Sequence, residues 1–315
     1  MKHMNIAIIG GAGFVGRHLA LELVNELRAV TVICRKREHA KLLFTQPTVE
    51  IVEADARNVD SLAAATRGCD AIVNLVGILY ETSRSTFRDQ HVGVTEAAIE
   101  ACRRNGIRRY IHMSALNADP DGASKYLQSK GEAEQKVTSS GLDWTIFRPS
   151  LIVGPGDKSI NTFARMAQWM PVILVPGAST RFQPIFVGDV ARAFAASLDD
   201  RMTHSQRYPL CGPRIYTLRE LFAFAARQMG RKPLILKTPG FLTGLQAMTL
   251  EMLPGKPMTR DNLRSLSVDS VSDGTPVALL GGPPVALEDV VPEYLAGHDR
   301  NWRYQIYRRR HAAAR

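Results

Sequence analysis

The stretch IAIIGGAGFVGRHLA, residues 6–20, decides the reading of the fold. An apolar run ends at Ile9, glycines stand at Gly10, Gly11, Gly13 and Gly16, and a helical pattern begins at once. Gly10, Gly13 and Gly16 are spaced GxxGxxG, while Gly11, Gly13 and Gly16 satisfy GxGxxG. That spacing carries meaning only between a strand and a helix, which is where it stands here. The chain has to turn tightly, bring its backbone against a pyrophosphate and pack the helix closely on the strand. The start of the helix then offers free N–H groups to the anion. Gly10, Gly13, Phe14, Val15 and Gly16 are therefore expected to cradle a dinucleotide. The competing reading is a glycine-rich turn with no ligand.

Outward from this turn, the first 150 residues alternate short β-branched runs with amphipathic ones. Strands are expected at 5–9, 30–34, 49–53, 71–76, 109–113 and 144–147, and helices at 13–28, 59–67 and 92–105. Gly106 is the expected stop of the last of these. Such alternation builds an α/β fold, a Rossmann-type doubly wound parallel sheet with helices on both faces. After residue 149 Pro and Gly become frequent. Residues 184–211 return to strand-then-helix and are expected to complete the dinucleotide-binding domain of 1–150. Residues 151–298 are expected to form a smaller, irregular C-terminal α/β domain of substrate type, and 299–315 a basic tail. In this later part Thr217 and Glu220 have the spacing of a helix capping box.

The end of the second strand bears on the cofactor. A carboxylate there accepts bonds from the ribose hydroxyls of NAD. The sequence VICRKRE, 32–38, places Arg35, Lys36 and Arg37 there instead. A guanidinium suits a 2′-phosphate and can stack on adenine. Arg35 and Arg37 therefore favour NADP(H), with NAD(H) as the alternative. Asp55, in VEADARN after the third strand, is placed to accept a bond from the adenine amino group or to cap the next helix.

The segment KYLQSKGEAE, 125–134, sets Tyr126 and Lys130 four apart, on one face of a helix. Together with Ser114, NLVG at 74–77 and the glycine turn, this pair resembles the short-chain dehydrogenase/reductase superfamily in its extended form. RPSLIVGPGD at 148–157 and PIFVGDVARA at 184–193 are similar to later segments of the epimerase/dehydratase branch. HVGVTEA, IHMSALNAD, SKYLQSKGEAE and LPGKPMTRDNLRSL resemble the group that contains the dinucleotide-binding accessory subunit of respiratory complex I. The resemblance implies Tyr126 as general acid/base, Lys130 as ribose ligand and modulator of the tyrosine, and Ser114 as orienting hydroxyl. Val76 and Gly77 would line the cofactor. It also implies a departure: His91 stands where standard members carry an asparagine that supports a proton relay. Two functions follow from the resemblance. One is an NADP(H)-binding accessory or assembly protein of a membrane-associated respiratory or quinone-related complex. The other is an active NAD(P)-dependent oxidoreductase or sugar-nucleotide epimerase/dehydratase, for which Arg148, Arg181 and Arg192 are candidate diphosphate ligands.

Composition bounds the rest. Apolar residues make up 45% and charged residues 22% of 315, which fits a folded globular chain. Cys34, Cys69, Cys102 and Cys211 are too scattered for a metal knuckle or redox motif and read as free buried thiols. No metal site is expected. Forty basic against thirty acidic residues give +10, part of it from six arginines between Arg300 and Arg315. No nucleic-acid-binding motif accompanies that charge. The expected location is cytoplasmic, since no signal region or bilayer-length apolar run is present. The alternative is a peripheral seat at the inner face of a membrane. It would use the tail together with Phe241, Leu245, Met248 and Met252, which recur at helical spacing and otherwise read as a core helix of the smaller domain.

Overall fold

A computed structural model describes residues 4–239 and 258–295. Its centre is a seven-stranded sheet of β1 (Asn5–Ile9), β2 (Ala29–Cys34), β3 (Val49–Glu53), β4 (Ala71–Asn74), β5 (Arg109–Met113), β6 (Asp143–Pro149) and β11 (Gln206–Leu210). The order is β11-β6-β5-β4-β1-β2-β3. Every neighbouring pair is parallel. The chain winds outward from β1 to β3, then crosses back to β4 and winds the other way. A crevice therefore opens between the carboxyl ends of β1 and β4.

Both faces of the sheet are covered, which is why its strands read as nearly continuous apolar runs. Ile6, Ile8, Val30, Val32 and Ile111 pack toward α1 (Phe14–Asn25) and α6 (Val187–Asp199). Ala7, Ile9, Ile72, Tyr110 and Ile146 face α2 (Val59–Ala65), α3 (Val94–Asn105) and α4 (Lys125–Thr138). Gly106 ends α3 in the left-handed region, with φ 69°. The fourth strand stops at Asn74, short of the expected 76. The Asn74 side chain accepts the Val76 N–H at 3.1 Å and turns the backbone out of the ladder. A π-helical turn, Arg88–Gly93, precedes α3. It swings His91 inward, where the ring is buried.

The remaining elements build smaller layers against this sheet. Strands β7 (Ile152–Val153) and β10 (Ile185–Phe186) are parallel, β9 (Arg181–Phe182) and β12 (Tyr216–Thr217) antiparallel, and β8 (Val172–Val175) and β13 (Leu234–Lys237) parallel. Helices α5 (Ser159–Trp169) and α7 (Leu218–Gln228) meet through the stacked rings of Phe163 and Phe222, 4.0 Å apart. The capping box of Thr217 and Glu220 is formed at the start of α7. Among the described residues, three short helices follow: α8 (Arg260–Ser265), α9 (Val277–Leu280) and α10 (Leu287–Leu295). All four cysteines are buried and free. The apolar positions 241–252 and the basic tail lie outside the described residues.

Candidate functional site

The glycine turn forms one wall of the crevice. Gly10 takes φ +81°, a conformation that costs glycine little, and its N–H donates to Ile33 O. A side chain at Gly16 would put its Cβ 2.5 Å from Gly10 O and 2.5 Å from Gly11 Cα, so helix and turn are in backbone contact. Gly13 is exposed and N-caps α1 without a side-chain bond, and no acidic residue occupies the first turn. The N–H groups of Phe14, Val15 and Gly16 begin the helix and lack intrahelical acceptors. A phosphate fits this cradle on geometry and on the helix dipole alike. Arg17 and His18 both reach Pro155 O, at 3.2 and 3.1 Å, and draw the 154–157 loop beside the turn.

Basic groups gather beyond β2. Arg35 is exposed and close enough to Asp55 to help hold that carboxyl below its usual range, although the Arg57 bond is the larger cause. Asp55 accepts from Arg57 at 3.0 and 2.9 Å, so its carboxylate is clamped by a guanidinium. Asp55 does not cap the next helix: Asn58 does, accepting the Ser61 N–H at 2.9 Å. Arg37 differs from Arg35. Its guanidinium donates to Ile51 O at 3.1 Å and lies over the Phe44 ring, and its backbone N–H donates to Glu53. Arg35 is thus the basic group of this pair that is free to meet a ligand.

At the other end of the crevice, α4 brings Lys130 under the ends of β4 and β5. The ammonium donates to Met113 O at 2.9 Å and Val76 O at 3.3 Å. Burial pushes it down to about 8, against the opposing pull of Glu134. Gly77 leaves the approach to Nζ open, since a Cβ there would stand 3.5 Å from it. Ser114 is buried, its N–H donates to Phe147 O, and its hydroxyl has no hydrogen-bond partner. A buried, unpaired hydroxyl is costly unless a ligand completes it. The Tyr126 ring packs edge-on against Phe87 and His91, with centroids 5.9 and 5.5 Å away. Burial pushes its phenol up to about 12, and among the described residues its hydroxyl makes no hydrogen bond.

His91 is fully committed. Its Nε2 accepts the Ile78 N–H at 3.1 Å, which leaves the proton on Nδ1 to donate to Ser129 Oγ at 2.8 Å. Ser129 in turn donates to Tyr126 O. Burial and the neighbouring Lys130 hold the ring neutral, down to about 2. In this arrangement His91 ties the loop after β4 to α4, and neither ring nitrogen is open to relay a proton. His112 lies behind it, wholly buried, with both ring nitrogens unpaired.

With this geometry in place, comparison with known proteins is direct. A family model described as NAD(P)H-binding matches residues 10–200. The chain belongs to that family. It is 30% identical, over 92% of its length and 75% of the relative's, to "NADH dehydrogenase [ubiquinone] 1 alpha subcomplex subunit 9, mitochondrial" of Arabidopsis thaliana. It is 29% identical, over 76% of its own chain and 75% of the other, to a ceramide reductase of Caulobacter vibrioides. Among solved structures, UDP-glucose 4-epimerase of Thermus thermophilus in complex with NAD superposes with a TM-score of 0.70. The identity is 20%, over 93% of this chain and 99% of that one. The Rossmann-type fold is thus shared with the extended short-chain dehydrogenase/reductases, and the ligand of the family is a nicotinamide dinucleotide.

Within the family frame, one contributor was invisible to motif reading. Asp261, on α8, accepts the N–H groups of Lys125 and Tyr126 at 2.8 and 3.1 Å and so caps α4 beside Ser124. Asn262 donates to Leu79 O, Ser265 to Ser124 Oγ, and Asn117 to Asp269 O. The 259–270 segment therefore straps across the loops that follow β4 and β5. Arg148 and Arg207 pair with the buried Glu134 of α4, Arg181 with Asp269, and Arg192 with Asp189. The candidate diphosphate ligands Arg148, Arg181 and Arg192 are thus engaged in structural pairs. Among the described residues no cluster is arranged to hold a metal, and no helix is long and apolar enough to cross a membrane.

Proposed function

We propose that the protein holds NADP(H) as an accessory or assembly component of a membrane-associated respiratory or quinone-linked complex, seated peripherally at the inner face of the membrane. Residues 1–150, completed by 184–211, form the nucleotide-holding unit, and 151–298 form the side turned to a partner. Gly10, Gly13, Phe14, Val15 and Gly16 take the pyrophosphate. Arg35 takes the 2′-phosphate, with Arg37 as backing, and Asp55 lies beside the adenine. Val76, Gly77 and Lys130 take the nicotinamide ribose. The kinship with the NADH dehydrogenase subunit, across almost the whole chain, supports the accessory role.

The single observation that favours holding over turnover is the state of the Tyr126 site. Its phenol is pushed up to about 12, Lys130 is engaged with two backbone carbonyls, and His91 has no free ring nitrogen. Tyr126→Phe tests this. Nucleotide retention and assembly survive in the substituted protein, whereas Gly13→Val loses both. The second reading is a Ser114-Tyr126-Lys130 oxidoreductase or epimerase/dehydratase. It is favoured by the unpaired hydroxyl of Ser114 and by kinship with a reductase. On that reading Tyr126→Phe would cut turnover by about 10²-fold or more.

A further inference from the structure

Strands β8 and β13 form a two-stranded parallel ribbon in which Leu234 pairs with Val172 and Leu236 with Leu174. Alternate residues Ile173, Val175 and Ile235 are buried in the small core with Phe222. A strand buried on one face usually presents polar residues on the other. Here the outer face carries Val172, Leu234 and Leu236, all exposed, with Leu234 at 57%. Trp169, 79% exposed, and Met170 extend the same surface from the end of α5. Isolated exposed apolar side chains need no explanation, but a contiguous set does.

Among the described residues, the charges on the segments that build this face have one sign. Arg165 stands one turn before Trp169 on α5, Arg231 and Lys232 lead into β13, and Lys237 ends it. All four are exposed, and none forms an ion pair among the described residues. No Asp or Glu occurs in 158–175 or 221–239, the segments that build the face. A second copy of the chain would set these cations against themselves. An anionic bilayer matches both features: phosphates for the cations, and the boundary of the acyl region for the apolar side chains, with an exposed tryptophan suited to that depth.

We propose that the outer face of the β8–β13 ribbon, with Trp169, is the surface by which the protein docks on an anionic lipid bilayer. The proposal deepens the peripheral-membrane reading above and rests on it for location only. The experiment is co-sedimentation of the full chain with vesicles of phosphatidylcholine, alone or mixed with phosphatidylglycerol. Wild type is expected to bind the mixed vesicles and largely ignore the neutral ones. Trp169→Ser with Leu234→Ser should weaken that binding about tenfold or more. Arg231→Glu with Lys232→Glu should abolish the preference for anionic lipid. Leu27→Ser, which alters an equally exposed side chain elsewhere, should change nothing. NADPH binding measured on each variant reports that the fold is kept. Double variants that bind vesicles like wild type overturn the proposal. So does a wild type that binds neither vesicle, or one whose self-association, in place of lipid binding, is what Trp169→Ser abolishes. Any of these with NADPH still held refutes the docking face and leaves the nucleotide reading standing.

Discussion

Replacing Lys130 by methionine should change how stability depends on pH. In the folded chain the ammonium titrates near 8, against an ordinary lysine value of 10.5. Above 10.5 the group is neutral in both states and burial costs it nothing. Between 10.5 and about 8 the unfolded chain binds a proton that the folded chain does not, so stability falls as pH falls. Below about 8 both states carry the proton and the penalty is constant. The gap corresponds to about 3 kcal/mol. Methionine has similar length and no proton, so other titrating groups cancel when the two proteins are compared. Chemical denaturation of wild type and Lys130→Met, at intervals from pH 7 to pH 10.5, provides the difference. It should be flat up to about pH 8 and then move in favour of wild type by up to about 3 kcal/mol. A difference independent of pH across that window would refute the claim that burial, rather than a compensating partner, governs this lysine.

Three further outcomes follow from the backbone around the site. Gly16→Ala should lower stability by about 1–3 kcal/mol and weaken nucleotide binding, because its Cβ meets backbone atoms at 2.5 Å. Gly93→Ala, whose nearest neighbour is at 3.9 Å with an α-helical φ of −60°, should be neutral or slightly stabilising; thermal melts of both variants check the contrast. Asp261→Ala should cost about 1 kcal/mol through the lost cap of α4, and the amides of Lys125 and Tyr126 should exchange with solvent faster. Unchanged exchange would remove the strap from the account.

The sheet was legible because its strands are buried on both faces and its glycine turn is covalently local. The cap at Gly106 and the capping box at Thr217 were legible for the same reason: each is decided within a few residues. The surroundings of Tyr126 were not. Asp261 reaches α4 from 135 residues away, and nothing in its spacing announces the contact. Likewise no pattern in RKR separates Arg35, left open, from Arg37, which β3 and Phe44 engage. His91 could be aligned from sequence, but its commitment depends on a π-helical turn that places both ring nitrogens. The outer face of the β8–β13 ribbon was hidden too, since the wholly apolar VILV has no polar alternation to tell an outer face from an inner one.

The central claim is that the crevice between β1 and β4 holds NADP(H). Calorimetric titration of nucleotide-free protein with NADPH and with NADH, on wild type, Arg35→Ala and Gly13→Val, tests it most directly. The account predicts that wild type binds NADPH about tenfold more tightly than NADH, as one charge-assisted phosphate contact supplies. Arg35→Ala should erase that preference, and Gly13→Val should bind neither nucleotide. Equal affinities in wild type would contradict the role of Arg35, and full binding by Gly13→Val would contradict the site itself.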